Sequence, residues 1–64
     1  MTSNVQRQRY VRVASHAVHE QLRTGAVKLP EALEHLRKIH ADAGWPFDEA
    51  AQRQRLDEIL RANQ

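Results

Sequence analysis

The stretch TGAVKLPEALEHLRKIHADAGWPF, residues 24–47, decides the fold, because it holds both glycines and both prolines of the 64-residue chain. Gly25 and Gly44 each follow a helical pattern, where glycine closes a helix in the left-handed conformation. Pro30 and Pro46 each stand at or just before a helical start, where the missing N–H is harmless. Between these marks Leu29, Ala32, Leu33, Leu36, Ile39 and Ala43 recur at helical spacing and make one apolar stripe, with His40 on its flank. Glu34 and Lys38 are placed for a supporting i,i+4 pair on the outer side.

Working outward, the punctuation predicts three helices, at about 4–24, 30–43 and 48–62. The linkers TGAVKL and GWPF are short, which favours antiparallel neighbours. Asp48 is a natural N-cap for the last helix, since its carboxylate can accept from exposed backbone N–H groups. Only Leu56, Ile59 and Leu60 give that helix an apolar grip, so its first turns are expected to lie loosely. VRV at 11–13 alternates too briefly to make a strand. The expected fold is all-α: a helical hairpin with a third, looser helix, in a single domain.

The first helix has two patterned sides. At about 100° per residue, Tyr10, Val11, Ala14, Ala17, Val18 and Leu22 gather on one of them. Tyr10, Ala14, Ala17, Val18, Gln21 and Leu22 are the candidate core or dimer seam, with the small alanines permitting close helix approach and Gln21 able to fix register. Arg9, Arg12, His16, His19 and Arg23 fall on the other side, interrupted only by Glu20. Like charges at this spacing disfavour a helix by about 0.2–0.5 kcal/mol per pair, so an anionic partner is a natural compensation. A repeat also catches the eye: VQRQRY at 5–10 returns as AQRQRL at 51–56. On a helix the two arginines of each copy point about 200° apart, so the run makes no concentrated patch and reads as helix filler.

Composition narrows the function. There are no cysteines, hence no disulfide and no thiolate metal site. Nine of the apolar residues are alanine, and a core this thin is expected to be completed by homodimerisation. The net charge of +2 is uneven. Residues 1–28 hold five basic groups and one acid, a balance of +4, whereas residues 29–64 hold five against seven, a balance of −2. No apolar run is long enough for a membrane span or a secretory signal, which predicts a cytoplasmic protein with no membrane partner.

Catalysis finds little footing. HEQLR at 19–23 begins like a zinc-protease motif, but Arg23 stands where the second ligand belongs. There is no glycine-rich phosphate loop, and the serines have no evident activating partners, so neither enzyme activity, cofactor nor metal is expected. Binding is. The expectation is a small regulator or inhibitor that docks on an acidic surface of another protein through Arg9, Arg12, His16, His19 and Arg23, with Trp45 and Phe47 beside Pro46 as aromatic anchors. In size and make-up the chain is similar to the small accessory proteins of phages and plasmids, which commonly act by binding host factors; no motif carries that likeness. The alternative is a nucleic-acid-binding regulator that uses two copies of the basic helix, disfavoured by the acidic second half and by a GWPFD connection unlike a helix-turn-helix.

Overall fold

The structure, a computed structural model, describes residues 3–63. It consists of α1 (Asn4–Thr24), α2 (Leu29–Ala43) and α3 (Glu49–Ala62). The described residues contain no strand.

Each boundary has a local cause. Gly25 and Gly44 end α1 and α2 at φ 86° and 66°, the only positive φ angles among the described residues. Behind them Ala26 N–H donates to Gln21 O at 2.8 Å, and Trp45 N–H donates to His40 O at 2.9 Å. These bonds use carbonyls that a helix end would otherwise leave bare. Pro30 sits in the first turn of α2. Asp48 caps α3, its Oδ1 accepting from Ala51 N–H at 3.2 Å. The start of α1 holds a device the sequence reading missed, a reciprocal capping box. Ser3 Oγ accepts from Gln6 N–H at 3.2 Å, while Gln6 Oε1 accepts from Ser3 N–H. The first glutamine of the QRQR run is therefore more than filler.

The three helices close around Val18, Leu22, Ala32, Leu33, Leu36 and Leu56, ringed by Val27, Leu29, Ile39, Phe47, Ile59 and Leu60. Among the described residues Leu36 and Leu56 are the most deeply buried large side chains, and Leu22 keeps only 2% exposure. The loop after α1 turns the chain back through α2, and the loop after α2 turns it again, so α3 runs the same way as α1. Asn63 ties their ends together, its Nδ2 donating to Arg23 O at 2.7 Å. A second tie is ionic: Arg37 of α2 pairs with Glu34 at 3.0 Å and also with Glu49 at the start of α3. Glu34 thus takes Arg37, one turn along, rather than the expected Lys38.

α1 turns inward only part of its expected apolar face. Val11, Val18 and Leu22 are buried, but Tyr10 and Val13 remain 48% and 66% exposed, and Ala17 and Gln21 are exposed as well. Ala14 is half-buried. The expected seam therefore divides: Val18 and Leu22 belong to the core of the chain itself, and Tyr10, Ala17 and Gln21 lie outside it. The reason is geometric. Tyr10 and Leu22 bracket an arc of about 120° on the helix, and two neighbouring helices cover its Val11–Leu22 side. The molecule is elongated, 42 × 19 × 16 Å. α1 spans about 32 Å against about 22 Å for α2, and its first turn and a half, up to Arg9, is exposed throughout.

Candidate functional site

Between α1 and α3 lies a cleft of about 480 Å³, open to solvent. From α1 it receives Arg12, Ser15, His16 and His19, one turn after another along a single edge of the helix. From α3 come Ala51, Gln52 and Arg55, and His40 and Trp45 complete the lining with Val11. The spacing follows from the helical repeat: Arg12, His16 and His19 share one edge of α1, and Ala51, Gln52 and Arg55 share one edge of α3. Because the two helices run the same way, those edges face each other along the groove.

The electrostatics of this cleft are one-sided. No carboxylate lines it, and neither Arg12 nor Arg55 makes an ion pair among the described residues. Two guanidinium groups, an exposed imidazole and the neutral donors of Ser15 and Gln52 thus line the open cleft. Guanidinium forks match the planar, two-oxygen geometry of a carboxylate and the oxygens of a phosphate. The Trp45 indole adds an apolar wall with one N–H donor.

His19 sits deeper than its neighbours. It is half-buried, and its Nε2 is closed off from solvent with no hydrogen-bond partner among the described residues. Burial pushes its pKa below the ordinary imidazole value, and Arg55 and His16 push it in the same direction. Burial thus favours the neutral ring. His40, placed on the flank of the apolar stripe by sequence, is in fact buried. Its Nδ1 lies 2.9 Å from Pro46 O, a distance at which the ring N–H donates to the carbonyl and fastens the turn between α2 and α3.

The two aromatic residues of that turn have different roles. Phe47 packs against the core, its ring edge-to-face with His40 at 5.1 Å, and the Arg37 guanidinium stands 6.0 Å from its centroid. It is a structural plug and not a presented anchor. Trp45 is half-buried at the cleft wall. Among the basic residues singled out by sequence, Arg12 and His16 meet at the cleft. Arg9 is exposed further toward the N-terminus, beside Val5, Gln8 and Arg12. Arg23, on the same side of α1, is paired with Glu20 at 2.6 Å in an exposed ion pair. The hydrogen bond and charge of Arg23 in turn keep the Glu20 carboxyl below the usual range.

Sequence reasoning missed Arg55, which belongs to the second QRQR copy. Its partner in the cleft, Arg12, is 43 positions away in the chain, and no local pattern could have joined them. Among the described residues no three His, Asp or Glu side chains gather into a metal-sized cluster, and no helix is long and apolar enough to cross a membrane. No family model matches the chain, and neither a curated protein nor a solved structure is significantly similar to it.

Proposed function

We propose that this protein works by binding and not by chemistry, as a small regulator or inhibitor that docks an acidic segment of another protein in the cleft between α1 and α3. The observation that carries this reading is the convergence of Arg12, His16 and Arg55, from two helices, on a carboxylate-free cleft walled by Trp45. Arg12 and Arg55 grip carboxylates, His16 adds a ring N–H donor, and Trp45 covers the apolar part of the docked segment. Arg9 extends the positive potential along the exposed end of α1 and steers the approach. Self-association belongs to the same reading: a core with two fully buried large side chains gains from a second copy.

The test is to titrate the isotope-labelled protein with an oligo-glutamate peptide and with a mixed-sequence DNA duplex, following amide and indole resonances at about 50 and 200 mM salt. The expected result is saturable movement of the Arg12, His16, Trp45, Gln52 and Arg55 signals with the peptide. An Arg12→Ala/Arg55→Ala double variant should lose about tenfold or more in affinity. Tighter binding of the duplex, falling by orders of magnitude across that salt range, would instead assign the cleft to phosphates. No movement at the cleft with either probe would sink the reading.

A further inference from the structure

Arg12 and Arg55 belong to helices whose alignment is set by the tie at their C-terminal ends, where Asn63 donates to Arg23 O. Counting back along two helices that run the same way places Arg55 level with about Ser15, one turn beyond Arg12. Arg55 also stands close enough to His19 to lower its pKa, in keeping with a guanidinium that reaches the edge of α1. We infer that the docked segment presents a phosphate monoester to this turn of the cleft, as a phosphoserine or phosphothreonine side chain of another protein. The inference rests on the docking reading above and names the group that is gripped.

The donors gathered here outnumber what a single carboxylate accepts. Arg12 and Arg55 each offer a two-pronged fork, Ser15 a hydroxyl, His16 a ring N–H and Gln52 a side-chain amide. A carboxylate brings two oxygens and one negative charge. A phosphate monoester brings three terminal oxygens and a charge of about −1.5 to −2 near pH 7. That charge matches two guanidinium groups that have no ion-pair partner among the described residues.

Other anions fit this turn less well. Two glutamates supply the same charge, but two long side chains must then be immobilised instead of one short one. Same-face side chains of an extended segment also stand about 7 Å apart, further than the single turn of about 5 Å that separates Arg12 from Arg55 along the helices. Side chains as long as arginine close that turn onto one shared group. An internal nucleic-acid phosphate carries a single charge and lacks the third terminal oxygen, so it leaves the donor set part-filled. Trp45 and Ala51 give the residue beside the phosphate an apolar wall, which suits a peptide neighbour.

Three peptides test this, identical and glutamate-flanked except for a central phosphoserine, glutamate or serine. Their affinities are followed through the amide resonances of the cleft. The phosphoserine peptide should bind about tenfold or more tightly than the glutamate peptide. Arg12→Ala or Arg55→Ala should erase most of that advantage, with the helical circular dichroism unchanged because both side chains are exposed. Arg55→Lys should recover only part of it, since an ammonium offers a point charge and no fork. Equal affinity for the phosphoserine and glutamate peptides overturns the inference and leaves the docking reading standing, whereas no movement at the cleft with any peptide overturns both. A 5′-phosphorylated oligonucleotide or free inorganic phosphate that competes as strongly as the phosphopeptide would overturn the protein partner named here.

Discussion

Burial, the Arg55 guanidinium and the neighbouring His16 all push the His19 imidazole below its ordinary pKa. The sign of the consequence follows from linkage. Near pH 6.5 the unfolded chain takes up a proton that the folded chain refuses, so stability is greatest above that value and declines as the pH falls toward the folded pKa. The melting temperature should drop between about pH 7.5 and 5.5, and His19→Leu, which removes the group, should show a smaller drop. A docked acid acts in the opposite direction. Its carboxylates favour the charged form of His19, so affinity for oligo-glutamate should rise over the same interval, with proton uptake visible by calorimetry in buffers of different ionisation heat. His40 makes a different demand. Replacing it with Leu strands Pro46 O and should cost about 1 kcal/mol in thermal melts, loosening the turn that positions Trp45.

The helices themselves depend on their ends. A Cβ added at Gly44 would meet nothing within 4 Å, but φ there is +66°. The cost of Gly44→Ala is therefore purely conformational, about 1–2 kcal/mol. Asp48→Ala removes the α3 cap and should cost about 1 kcal/mol, and chemical denaturation measures both. These ends were legible in the sequence because a cap is a local event, written in a few adjacent residues. The facing of α1 was less so. Its apolar residues span a wide arc from Tyr10 to Leu22, and periodicity alone cannot say which side two other helices will choose. The different placements of Phe47 and Trp45 were hidden for a similar reason. Both flank Pro46, and the His40 bond to Pro46 O, a tertiary fact, decides which ring goes inward.

Taken whole, the molecule is held by a narrow margin. At roughly 0.05–0.15 kcal/mol per residue, a chain of this length has about 3–10 kcal/mol to spare. Leu36→Ala empties the centre of the core at a cost of about 2–5 kcal/mol, so that variant should be largely unfolded at modest urea concentrations. The site was legible only in part: Arg12 and His16 stand on one helix and could be grouped by spacing, whereas Arg55 joins them only through the third helix. The cleft wall has one more consequence. The chain contains a single tryptophan, and that residue lines the cleft. Its emission therefore arises entirely from the surface assigned to binding, undiluted by any other indole. The wavelength and quenching of that one fluorophore give a label-free readout of what enters, in a protein whose folding core contributes no competing signal.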